Sequence, residues 1–186
     1  EDSLTMPEDR FEEIVHGESR RISPPTDRHG ALLLRLLRTL MVQLDSAQHQ
    51  VLPSGFGLGI ERAPAFTCRI PDLMVYAHET LRRDRHEKAV DDPYLWEAPE
   101  LLVECLSPSN RKGSTWELLA DYERAGVAEV WLIDPRDRCV TAYVLQDARL
   151  IEAWRVSGGV VSPVGLPEAR IEIEMLWDAF DHGLAG

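Results

Sequence analysis

The stretch Leu101-Leu-Val-Glu-Cys-Leu106 constrains this chain more than any other, because it is a near-continuous apolar run interrupted by a single carboxylate. A run of strand length that is apolar at almost every position, rather than at every second one, predicts a central strand covered on both faces. The fold must then supply a layer on each side of a sheet. A glutamate in such a strand needs a partner, since an uncompensated buried charge costs several kcal/mol. A second apolar text, Phe66 to Tyr76, places Asp72 in the same situation directly after Pro71, a residue that suggests a sheet edge or an irregularity.

The remaining text predicts elements of both kinds. Thr26 or Asp27 is a suitable N-cap for a helix running to about Asp45, with Leu33, Leu36, Leu37, Leu40 and Leu44 on one stripe and Arg35, Arg38 and Gln43 off it. His29 lies four residues before Leu33 and shares the core-facing side. Upstream, Phe11 to Ile22 is expected to form a short helix feeding an edge strand. Val51 to Ile60, with Pro53, Gly57 and Gly59, reads as one weak bent strand, and His78 to Glu100 as a polar surface excursion. After Leu106, Ser114 and Glu117 have the spacing of a capping box, and Gly126 ends that helix. Val127 to Asp134 is the next strand, turning at Pro135 into Cys139–Leu145. A second hairpin follows around Leu150–Val156 and Val160–Val164, then a strand at Ile171–Glu174 and a terminal helix. With 186 residues and 44% hydrophobic content there is material for one ordinary core. The expectation is one unit over residues 1–186, an α/β (α+β) mixed sheet with a core at about 26–135 and added β-hairpins at 136–175.

Composition narrows the function classes. A net charge of -12 argues against a protein that coats nucleic acid indiscriminately, because phosphate contacts need clustered cations. Arg20, Arg21, Arg28, Arg35 and Arg38 nevertheless fall in one short span opposed only by Asp27, so a local basic face is expected. No apolar run approaches the length a bilayer needs, and the acidic opening segment has none of the layout of a signal peptide. The three cysteines, Cys68, Cys105 and Cys139, lie far apart without metal or redox spacing, which fits reduced buried thiols in a cytoplasm.

Asp72 and Glu104, joined by the backbone carbonyl of Cys105, form an oxygen set of the kind that Mg²⁺ or Mn²⁺ prefers. A bland reading stands beside it: Asp72 caps the turn after Pro71 while Glu104 pairs with an arginine. Spacing alone does not separate the two. Ser107 and Ser109 lack a histidine nearby in sequence that would make either a nucleophile. Trp116, Trp131 and Trp177 are expected in the core or an interface.

Three strings decide between these readings: Arg69-Ile-Pro-Asp-Leu, Pro99-Glu-Leu-Leu-Val-Glu-Cys-Leu-Ser-Pro-Ser-Asn, and Asp121-Tyr-Glu-Arg-Ala-Gly-Val-Ala-Glu-Val-Trp-Leu-Ile-Asp-Pro. Together with Phe11-Glu-Glu-Ile-Val-His-Gly-Glu and Ser23-Pro-Pro-Thr-Asp-Arg-His29 they resemble the Uma-type "putative restriction endonuclease" family of bacteria, over nearly the whole chain. That family belongs to the PD-(D/E)XK superfamily. The resemblance implies a restriction-endonuclease-like core and metal-dependent cleavage of phosphodiester bonds in nucleic acid, DNA first, with Mg²⁺ or Mn²⁺ as cofactor. It maps the motif carboxylates to Asp72 and Glu104, and offers Glu13 and His29 as supporting groups. The chain departs from the pattern where the E-x-K lysine should stand, at Leu106, and again at Leu118 in the next helix. Its two lysines are Lys88 and Lys112. Lys112, with Arg111 beside it, is therefore the substitute expected to assist catalysis. A homodimer is expected from the habits of the superfamily and from the apolar surface of the hairpins after Asp134. The rival expectation is a nuclease fold that has lost its lysine and serves as a non-catalytic binding or assembly domain.

Overall fold

The computed structural model describes residues 12–21, 26–87, 92–106 and 112–183. Its centre is a six-stranded mixed sheet that contains both carboxylate-bearing texts. In chain order the first elements are β1 (Glu12–Val15), β2 (Glu18–Arg21), α1 (Asp27–Gln43), β3 (His49–Pro53), β4 (Gly57–Glu61), β5 (Thr67–Arg69), β6 (Leu73–Ala77) and α2 (His78–Glu87). They are followed by β7 (Tyr94–Leu95), β8 (Leu101–Cys105), α3 (Lys112–Ala125), β9 (Glu129–Asp134), β10 (Cys139–Gln146), β11 (Arg149–Val156), β12 (Val160–Val161), β13 (Ile171–Glu172) and α4 (Glu174–His182). The main sheet has the order β11-β10-β9-β8-β6-β3, a second sheet the order β2-β1-β5-β4-β7, and β12 pairs with β13. This is the mixed α/β class anticipated.

The Leu101 text becomes an interior strand. β8 pairs antiparallel with β6 on one side and parallel with β9 on the other. A parallel pair needs a crossover, and α3 provides it. Alternation along β8 sends Leu101, Val103 and Cys105 into a core shared with Leu32, Leu36 and Leu40 of α1 and with Leu176 of α4. Leu102 packs on the opposite face, with Leu118, Leu119 and Tyr122 of α3 and Leu58 of the second sheet. Two layers thus cover the sheet, which explains why hardly any polar residue is allowed in β8. Thr26 caps α1 by accepting from the His29 amide at 3.3 Å, and the helix buries Ala31, Leu32, Leu36 and Leu40.

Several expectations change. Residues 12–21 form a hairpin rather than a helix, because His16 and Gly17 both take positive φ (52° and 80°). Two consecutive such residues make the turn whose twist matches paired strands. The Val51–Ile60 text divides into β3 and β4, which belong to different sheets. The excursion after Ala77 contains α2, whose Leu81 and Asp84 are buried. α3 starts at Lys112, so Ser114 lies inside its first turn and Glu117 is not a capping residue. β11 pairs with β10, while the expected second hairpin shrinks to β12 against β13. Trp131 and Trp177 are buried but Trp116 is 66% exposed, since it projects from the outer side of α3. Arg28, Arg35 and Arg38 are exposed along α1, as a local basic face requires, whereas Arg20 is occupied by Glu117.

Candidate active site

The β6–β8 ladder sets the site. Its pairs are Leu73↔Val103, Met74↔Leu102 and Val75↔Leu101. One further step in the same register stands Asp72 opposite Glu104, and opposite residues of an antiparallel pair point to the same face. That face is the one covered by α3. Pro71 ends pairing just where Asp72 begins, so the aspartate sits at a strand mouth instead of inside the ladder.

Each carboxylate is held by groups from other elements. Asp72 Oδ2 accepts from the Cys105 backbone N–H at 2.8 Å and lies 3.3 Å from His29 Nε2. His29 reaches it because α1 starts at this end of the sheet. Cys105 N–H faces β6, and a strand residue turns its N–H and C=O to the same edge, so the Cys105 carbonyl also faces the Asp72 side. Glu104 Oε1 accepts a hydrogen bond from the Tyr122 hydroxyl on α3. Burial pushes the Glu104 carboxyl well above the usual carboxylate range; the Asp72 charge raises it further, and the Tyr122 bond lowers it. Tyr122 is itself held neutral, first by burial and then by the Glu104 charge beside it.

Behind the pair lies a buried ion network. Arg69, 5% exposed, donates from Nε to Asp121 Oδ2 at 2.7 Å and from Nη1 to Glu13 Oε2 at 2.9 Å. Glu13 Oε1 accepts from the Ile70 N–H at 3.0 Å. Glu117 is gripped by Arg20, with contacts of 2.7 and 3.2 Å, and lies 3.8 Å from Arg69 Nη2. Burial opposes the Arg69 charge, yet Glu13 and Asp121 more than offset it, so the guanidinium stays protonated.

The candidate residues therefore divide. Asp72, Glu104, Cys105 and His29 meet at one end of β6 and β8. Glu13 lies close enough to raise the Glu104 carboxyl, but both its oxygens are taken by Arg69 and Ile70. Lys112 is the first residue of α3, in the crossover that leaves β8; its side chain and all of Arg111 lie outside the described residues. Leu118, at one expected lysine position, is 8% exposed and packs in the core, so no side-chain charge could stand there without cost. Two contributors were not singled out in the sequence. Tyr122 carried a faint signal, a hydroxyl on the apolar stripe of Leu118 and Leu119. Arg69 carried another, a charge three residues before Asp72 in an apolar text.

Among the described residues, no cluster of three or more His, Cys, Asp or Glu side chains stands ready to bind a metal ion. Two carboxylates and a carbonyl suit a hard cation that keeps much of its water, and do not suit a closed all-protein cage. No helix among the described residues is long and apolar enough to cross a membrane. A family model, Uma2, described as putative restriction endonuclease, matches residues 1–174. The fold is similar to the crystal structure of a putative nuclease belonging to DUF820 from Anabaena variabilis, with a TM-score of 0.74, 17% sequence identity and 94% of each chain covered. At that identity the likeness is one of fold. No curated protein matches the chain.

Proposed function

Since the chain belongs to the Uma2 family of putative restriction endonucleases, we propose that it is a nuclease that hydrolyses phosphodiester bonds in nucleic acid, DNA first, with Mg²⁺ or Mn²⁺ held by Asp72, Glu104 and the Cys105 carbonyl. The observation that carries this reading is a charge imbalance. Asp72 and Glu104 face each other beside buried Glu13 and Asp121; Arg69 is engaged by Glu13 and Asp121, and Arg124 also holds Asp121. Among the described residues no arginine or lysine is paired with Asp72 or Glu104, and of these two His29 reaches only Asp72. A site with this surplus of carboxylate is stabilised by a bound cation. A divalent cation supplies charge neutralisation at a phosphate and makes water a better nucleophile at neutral pH.

The chain's own residues do the rest. The Cys105 N–H and His29 hold Asp72, and Tyr122 orients Glu104. Lys112, with Arg111 as the lesser candidate, orients the attacking water or stabilises charge growing on the phosphate, although arginine will not serve as a base. The exposed arginines of α1 offer phosphate contacts despite the acidic total. The protein is further proposed to act as a homodimer in the cytoplasm, where its three buried free cysteines stay reduced. One observation favours a second reading, that of a binding domain without catalysis: leucine stands at both expected lysine positions, and Leu118 is buried.

The experiment is a pair of measurements on wild type and Glu104→Ala. Mn²⁺ should raise the unfolding temperature of wild type only, and wild type should cut single-stranded, duplex or structured nucleic acid in Mg²⁺ or Mn²⁺. Metal binding without cleavage of any substrate would favour the binding-domain reading. Absence of both would refute the metal site.

A further inference from the structure

We infer that Arg69 is a positioning residue, a single guanidinium that sets both site carboxylates from behind through two separate arms. The first arm runs from Nη1 to Glu13 Oε2 at 2.9 Å and from Glu13 Oε1 to the Ile70 N–H at 3.0 Å. Ile70 and Pro71 lead directly into Asp72, whose Oδ2 then receives the Cys105 N–H at 2.8 Å. The second arm runs from Nε to Asp121 Oδ2 at 2.7 Å, and the next residue of α3, Tyr122, donates to Glu104. The arms join elements far apart in the chain: 56 residues separate Arg69 from Glu13 and 52 separate it from Asp121.

The chemistry of the side chain explains why it is an arginine. A planar fork with five donors can serve two carboxylates on different sides at once, whereas an ammonium offers a point charge with no fixed directions. Each arm ends on a backbone or side-chain group that fixes one site carboxylate. Groups that orient metal-binding side chains in this way typically change metal affinity by about 10- to 100-fold when removed. The catalytic meaning of the inference rests on the metal-dependent reading above. The positioning itself belongs to the protein without metal and can be tested there.

The test is amide hydrogen exchange on metal-free wild type and Arg69→Lys, with Glu13→Ala as a second variant that cuts the first arm alone. Arg69→Lys should speed exchange at the Ile70 and Cys105 amides by about tenfold while the amides around Leu36 in α1 and Val140 in β10 keep wild-type rates. Glu13→Ala should reproduce that pattern even if Arg69→Lys does not fold. A uniform acceleration across all these amides, or unchanged rates at Ile70 and Cys105 in Glu13→Ala, would overturn the inference. Mn²⁺ titration of the same proteins should show affinity in Arg69→Lys reduced by about tenfold. A wild type that binds no Mn²⁺ would overturn the metal reading, whereas the exchange rates would still decide the role of Arg69.

Discussion

Replacing Glu104 with Gln should make the metal-free protein more stable and at the same time remove its response to metal. Glutamine keeps the shape of the side chain and its Oε1, so the Tyr122 hydroxyl retains its acceptor. What disappears is a negative charge that burial and Asp72 both disfavour. The sign follows from proton binding. The folded-state pKa of Glu104 lies above its unfolded value, so between the two the native state binds more protons than the unfolded state and stability falls as pH rises. Above the folded value the loss is complete; below the unfolded value it is absent. The gain from Glu104→Gln should therefore be largest at alkaline pH and vanish in acid. An uncompensated buried charge costs about 3–5 kcal/mol, and each kcal/mol moves the midpoint of a chain of this size by about 2–4 °C. Thermal unfolding in chelator at pH 8 should thus show Glu104→Gln melting several degrees above wild type. Mn²⁺ at 100 times its Kd should add about 2.7 kcal/mol to wild type and next to nothing to the variant. A variant that melts below wild type in chelator, by an amount independent of pH, would show that Glu104 is an ordinary structural carboxylate.

Other outcomes follow from the same geometry. Lys112→Ala should lower phosphodiester cleavage by about 10²-fold or more, with Mn²⁺ affinity unchanged by calorimetry; equal cleavage would remove the lysine from the site and leave the carboxylates in place. Sedimentation at micromolar concentration should give twice the 21.1 kDa chain mass, and a purely monomeric species would refute the dimer. Leu36→Ala, at a fully buried position of α1, should cost about 2–5 kcal/mol in urea unfolding without altering metal affinity.

The parts of this protein that were legible in the sequence are those where neighbours along the chain decide. Thr26 and the leucines of α1 specify a capped amphipathic helix because cap and stripe lie within a few turns of each other. The apolar text around Glu104 specifies a strand covered on both faces, and with it a carboxylate that must find a partner, a place taken here by the Tyr122 hydroxyl. By contrast, the apolar spacing of the Phe11 text predicts a short helix feeding an edge strand; the edge strand is there as β2, but two consecutive positive φ angles at His16 and Gly17 make the preceding segment the other arm of a hairpin. The capping box at Ser114 was plausible locally, yet Glu117 is drawn instead to Arg20, a residue 97 positions away.

Only the tertiary structure decided that Asp72 and Glu104 stand opposite each other, that Tyr122 closes on Glu104, and that Arg69 bridges Glu13 and Asp121. The physical reason is the range of each interaction. Propensity and periodicity act within one element and leave a trace in composition. Strand register and buried ion pairs join residues tens of positions apart, and their partners can be recognised only once the sheet has brought them together.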